Sequence, residues 1–188
     1  MIGGTIPLRA AVAGKVRNST LVFDARGERQ TRYDKIHLFG FQRGAEHYDE
    51  SVTIEAGSAV SVFDSPAGRT GLSVCYDLRF PELFRALGEV NLIVLPAAFT
   101  HTTGRAHWEV LLRARAVENQ CYLMAPAQGG LHPGGRHTWG HTMIIDPWGE
   151  ILACVQEGPA LVVADLDPAR IAAVRASLPA LRHRRLPA

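Results

Sequence analysis

The stretch from Gly71 to Ala125 constrains the fold more than any other, because short apolar strands alternate there with helices. Gly71-Leu72-Ser73-Val74-Cys75 reads as a short buried strand, and Pro81 to Leu87 as a helix with proline in its first turn. Leu92-Ile93-Val94-Leu95 is a continuous apolar strand. Arg105 to Asn119 is an amphipathic helix with Trp108, Leu111, Leu112 and Ala116 on one side, and Cys121 to Ala125 is a further strand. Strands separated by helices in this way pair in parallel through right-handed crossovers, so the expected fold class is α/β.

The flanking regions read differently. Ser19 to Asp24 and Gln30 to Ile36 are β-prone runs joined by a turn at Ala25–Glu28. A polar loop is expected from Phe39 to Gly57, long enough to be functional. The last third predicts a meander of His141–Asp146, Glu150–Val155 and Ala160–Asp165, followed by a helix over Ala169–Ser177 capped by Asp167-Pro168. The glycines 129, 130, 134 and 135 lack the spacing of a phosphate-binding loop and suggest a mobile connection. With no repeat or linker, the chain is expected to be a single domain, residues 1–188.

Composition narrows the partners. A net charge of +2 on 188 residues gives no reason to expect nucleic acid or an anionic membrane. The run Arg182 to Arg185 is a local exception that fits a solvated tail or a subunit contact. No apolar stretch approaches the ~20 residues of a membrane span, and the first ten residues lack the pattern of a signal peptide. Cys75, Cys121 and Cys154 are odd in number and have no C-x-x-C spacing, which argues against a zinc site or a disulfide framework. A reducing cytoplasm is the expected location.

Two segments hold candidate chemistry. In the first, an apolar strand delivers Cys75 to a tight bend just before a helix. Such a bend can hold a nucleophile clear of the sheet, with helical N–H groups favouring thiolate and the Tyr76 N–H facing an oxyanion. On these cues alone an inert buried cysteine remains the better account. In the second, Lys35 lies where strand alternation breaks into loop. A lysine there usually snorkels to solvent. In a functional role it would place positive charge beside an oxyanion, with Glu50 as its carboxylate partner.

The segments YDKIHLF (33–39), YDES (48–51), GLSVCYDLRFPEL (71–83), the run 96–122 and WGHTMIIDPWGEIL (139–152) change that balance. In order and spacing they resemble the nitrilase superfamily of carbon–nitrogen hydrolases, over essentially the whole chain. Within it the chain most resembles the branch of deaminated glutathione amidases and omega-amidases. The resemblance implies an α-β-β-α sandwich and a catalytic Cys75, with Lys35 as the catalytic lysine and Glu50 supporting it. It implies attack on an amide carbonyl, loss of ammonia and hydrolysis of a thioester, with Lys35 and the Tyr76 N–H stabilising the oxyanion. No metal or organic cofactor is implied, and assembly at least as a homodimer is. Arg79, four residues after Cys75, resembles a residue that contacts a substrate carboxylate, although an ion pair with Glu82 or Asp77 accounts for it equally. Phe99 and Thr103 resemble pocket residues.

The chain departs from the family pattern at one point. The family's general-base glutamate precedes a glycine pair matching Gly3-Gly4, and only Met1 and Ile2 come before that pair in this sequence. The expected fold is therefore an N-terminally truncated sandwich. Glu28, the first glutamate present, lies in a turn and substitutes poorly. General acid–base help is worth about 10²–10⁴-fold, so weak or absent activity is expected. Loss of neighbouring elements should also leave Met1–Ile6, which resembles an interior strand, exposed. Two further functions stay open: a Cys–His hydrolase using His107 or His141, and an inactive interaction module that keeps the fold.

Overall fold

Apolar strands alternating with helices give this chain a six-stranded sheet with a parallel centre. In the computed structural model, which describes residues 1–186, β1 (Ile2–Arg9), β2 (Val16–Phe23) and β3 (Arg29–Asp34) form a separate antiparallel sheet in that order. The chain continues through a hairpin of β4 (Gly40–Arg43) and β5 (Glu46–Asp49), then β6 (Val62–Ser65) and β7 (Gly68–Leu72). Next come α1 (Pro81–Ala86), β8 (Leu92–Val94), α2 (His101–Asn119) and β9 (Tyr122–Ala125). A second hairpin, β10 (Gly129–Leu131) and β11 (His137–Trp139), precedes β12 (Thr142–Ile145), β13 (Ile151–Val155) and α3 (Pro168–Ser177). The large sheet runs β13-β12-β9-β8-β7-β6. Its β7, β8 and β9 are parallel, as their helical crossovers require. The last two positions of the expected 1–188 domain lie outside the described residues.

Burial explains the pattern. All three residues of β8 are buried, as in a strand covered on both faces. On α2, Trp108, Leu112 and Ala116 recur every four residues and are buried, while Val110 and Val117 on other faces are exposed. Val22 of β2 and Tyr33 of β3 join the same core as Leu72, Ile93 and Trp108, so the small sheet and the large one share one interior. Asp167 caps α3, its carboxylate accepting the Ala169 N–H at 2.8 Å, as the Asp-Pro pair predicts.

Four segments differ from expectation. Residues 40–49 form the β4–β5 hairpin rather than a loop. Residues 129–139 form a second hairpin rather than a mobile connection. Ala160–Asp165 is not a strand, and Leu161 and Val163 are exposed. An extended segment becomes a strand only when a neighbour takes its backbone hydrogen bonds, and among the described residues none does. Helix α2 begins at His101, a turn before the expected Arg105. Gly104 lowers the local helix propensity, but a side chain there would collide with Trp139, so close packing accounts for the glycine. β1 is an outer strand of its sheet, and Ile6 is exposed. Among the described residues no helix is long and apolar enough to cross a membrane.

Cys121 lies fully buried at the start of β9, and burial pushes its thiol up to about 12. An unfolded thiol titrates near 8.5, so the native state holds this proton where the unfolded chain releases it. The resulting stability is complete below about pH 8.5 and is lost as pH climbs towards 12. Urea midpoints are expected to fall steadily across that window and less steeply in Cys121→Ala. Parallel curves for the two proteins would refute the assignment.

Candidate active site

The end of β7 builds an elbow. Past Leu72 the chain stays beside the continuation of β8, with Ser73 N–H donating to Val94 O at 3.0 Å and Cys75 N–H to Pro96 O at 2.9 Å. At Cys75 the backbone turns into the left-handed region, φ +50°, and a 3₁₀ turn over Cys75–Arg79 begins. A non-glycine residue in that region costs of order 1 kcal/mol, and such strain concentrates at functional sites. Asp77 holds the bend. Its buried carboxylate accepts the Val74 N–H at 2.8 Å, and its own N–H returns to Val74 O at 3.0 Å.

The same carboxylate ties the elbow to the segment that carries Lys35. It accepts the Tyr33 hydroxyl at 2.7 Å and the His37 N–H at 3.1 Å, with His37 Nδ1 2.8 Å away. Burial, then the charge of Asp77, drive the Tyr33 hydroxyl far above its ordinary range, so it remains a donor. Tyr33 and Lys35 are two residues apart at the end of β3 and enter the same interior. Lys35 does not snorkel. Its side chain is fully buried, and Nζ donates to Glu50. Glu50 Oε2 also accepts the Phe39 N–H at 2.8 Å, while the Glu50 N–H returns to Phe39 O at 2.9 Å. The β4–β5 hairpin spans residues 40–49, so closing it brings Glu50 back to Phe39.

Cys75, Lys35 and Glu50 line one cavity of about 540 Å³, together with Ala98, Gln128, Arg136 and Thr142. A narrow recess beside Cys75 is lined by Phe39, Tyr76, Phe99, Thr103 and Arg136. Burial pushes the Cys75 thiol up, and the ammonium of Lys35 pulls against that rise. Burial thus favours the thiol form, and the Lys35 ammonium in the same cavity favours the thiolate. Tyr76 lies in the first turn after the bend, where amides have no intrahelical acceptor. Such an arrangement can bring a carbonyl between a sulfur nucleophile and two donors of positive charge.

The structure thus brings Cys75, Lys35, Glu50, Tyr76, Phe99 and Thr103 together. Arg79 does not itself line either compartment. Its Nη1 lies 3.2 Å from His107 Nδ1 and its guanidinium sits over the Phe99 and Tyr76 rings, so neither Asp77 nor Glu82 pairs with it. His141 stacks on Trp139 at 4.1 Å, and neither it nor His107 lines the two compartments beside Cys75. Glu28 is exposed and its N–H bonds to Asp24 within the β2–β3 turn. Among the described residues lining those compartments, Glu50 is the only carboxylate. Among the described residues no group of three or more His, Cys, Asp or Glu is placed to hold a metal ion.

Sequence reasoning missed two residues. In the sequence Asp77 reads as a partner for Arg79, yet in the structure its carboxylate organises the elbow. An acid in the first turn after an apolar strand is a capping signal that pointed to it. Arg136 carries no local signal, because only the β10–β11 hairpin brings it to the cavity.

The carbon–nitrogen hydrolase model matches residues 1–176. Deaminated glutathione amidase of Yersinia enterocolitica is 46% identical over 90% of the chain, which spans 61% of that protein's length. Omega-amidase NIT2 of Homo sapiens is 40% identical, over 98% of this chain and 67% of its own. The crystal structure of Saccharomyces cerevisiae Nit3, described as a member of branch 10 of the nitrilase superfamily, aligns with a TM-score of 0.85 at 34% identity, covering 98% of this chain and 66% of that one.

Proposed function

The chain belongs to the carbon–nitrogen hydrolase family, and we propose that it is an amidase cleaving a linear carboxamide of a small, carboxylate-bearing substrate through a thioester on Cys75. One observation carries the reading: Cys75 lies at a strained elbow in the same cavity as a fully buried lysine held by Glu50. A buried ammonium is costly unless paired. Its retention beside a sulfur makes sense where negative charge develops during reaction.

In this mechanism the Cys75 sulfur attacks the amide carbon, and the carbonyl oxygen becomes an oxyanion facing Lys35 Nζ and the Tyr76 N–H. Collapse expels the nitrogen, which takes up the proton lost by the Cys75 thiol and leaves as ammonia. Water then attacks the thioester, releasing a carboxylic acid and restoring the thiol. Glu50 pairs with Lys35 and aims it, its Oε2 accepting from both the ammonium and the Phe39 N–H. Among the described residues the lining supplies no carboxylate other than Glu50, so proton transfer is the step it serves least and slow turnover is expected. The names of the relatives point to deaminated glutathione and omega-amides as first substrates. Among the described residues no histidine lines these compartments, which disfavours a Cys–His pair.

Intact-mass spectrometry of the chain with a panel of omega-amides and deaminated glutathione tests this. An acyl adduct mapping to Cys75, with release of ammonia, is expected. The reading fails if no amide in the panel yields either an adduct or ammonia.

A further inference from the structure

If the amidase reading holds, some group must recognise the substrate's carboxylate, and among the described residues lining the two compartments only one cation is free of a carboxylate partner. Lys35 is bound to Glu50. Arg79 lies against His107 and two aromatic rings and lines neither compartment beside Cys75. Arg136 lines both, and among the described residues it pairs with no carboxylate.

Its position is built by the fold. The turn leading to it is closed by His132 N–H to Arg136 O at 2.8 Å and Gly135 N–H to His132 O at 3.0 Å. Gly134 and Gly135 adopt φ of +92° and +85° in that turn, a region that favours glycine. The hairpin is fastened beside the elbow by Trp139 N–H to Phe99 O at 2.9 Å and by a bridge between Thr100 and Thr138. The side chain itself is anchored at one corner, with Nη2 donating to Ala98 O at 2.8 Å and the guanidinium 5.8 Å from the Tyr48 ring centroid. A guanidinium carries five N–H donors in a planar fork. One anchored nitrogen leaves the rest of that fork for a ligand, and the residue's exposure lets an anion reach it without opening the fold.

We infer that Arg136 is the specificity-determining residue of this site: its guanidinium binds the carboxylate of an anionic amide while the carbonyl at the other end meets Cys75. Two fixed cations then divide the work, Lys35 facing the reacting end and Arg136 the recognition end. The charge of Arg136 also lowers the Cys75 thiol slightly, an effect that acts on every substrate alike. Specificity is therefore read from a ratio.

The test compares kcat/KM for glutaramate, which carries a carboxylate, with that for valeramide, which carries a methyl group in its place. Wild type is expected to favour glutaramate. Arg136→Gln should collapse that preference by about 10-fold or more, chiefly through KM for glutaramate, the size expected for a lost charged hydrogen bond at an exposed position. Arg136→Lys should restore part of it, since charge remains but the fork is lost. Arg79→Gln should keep the preference. Equal loss for both amides in Arg136→Gln, or collapse in Arg79→Gln instead, would overturn the inference. A second readout needs no turnover: glutarate should protect Cys75 from iodoacetamide in wild type and fail to do so in Arg136→Gln. Equal protection in both proteins, or none in wild type, also overturns it. A chain that forms no acyl adduct with any amide but shows this Arg136-dependent protection would defeat the amidase reading and leave the anion site standing.

Discussion

Replacing Cys75 with alanine should abolish hydrolysis of every amide the chain turns over, a loss of about 10⁴-fold or more in kcat. The size follows from covalent catalysis: without the sulfur there is no thioester, and the remaining cation and amide can only polarise a carbonyl towards water. Fold should survive. Alanine has the same Cβ as cysteine, so the left-handed backbone at this position is no more strained than before. Urea unfolding is expected to shift by less than about 1 kcal/mol, since the substitution removes one sulfur from a position already facing a cavity. Ammonia release measured beside the urea curve separates the two effects. The other thiols cannot substitute, since Cys121 is fully buried in the core and Cys154 lies exposed on the outer strand β13. Turnover within tenfold of wild type would place the nucleophile elsewhere.

Lys35→Met should separate activity from stability. Loss of a preorganised positive donor at an oxyanion typically costs about 10²–10³-fold in kcat. Stability should hold or rise, because methionine fills a similar volume and removes a fully buried charge. Glu50 keeps partial exposure and the Phe39 N–H, so it is not stranded. The thiol provides an independent check. Lys35 is the largest of the influences that oppose the burial-driven rise of Cys75. Its removal should raise that pKa further, leave less thiolate at neutral pH and move the iodoacetamide profile to more alkaline values. A variant that is strongly destabilised while labelling Cys75 at the wild-type rate would make Lys35 a structural residue only.

The two kinds of site residue differed in how far the sequence revealed them. Cys75, Lys35 and Glu50 stand inside motifs whose resemblance names their roles, and the cavity gathers all three. Phe99 and Thr103 were reached through the same resemblance, and they flank the recess beside the sulfur. Arg79 shows the limit of such transfer. Its position in the chain matches, but its guanidinium lies against His107 and over the rings of Tyr76 and Phe99, so it borders the recess through those rings without lining it itself. Arg136 is the converse, lying in a Gly-rich stretch that reads as a connection until the hairpin closes it over the cavity.

Local chemistry determined the parallel centre of the large sheet, the capped α3 and the bend that bears Cys75, because hydrophobic periodicity, proline and capping residues act within a few positions of themselves. Tertiary structure alone decided that Ala160–Asp165 goes unpaired, that Asp77 locks the elbow to the Lys35 segment, and that Arg136 rather than Arg79 faces the cavity. Each of those outcomes depends on a partner at least 25 residues away in the chain or on the lack of one. A hydrogen bond or an ion pair across that separation leaves no periodicity in the sequence from which to read it.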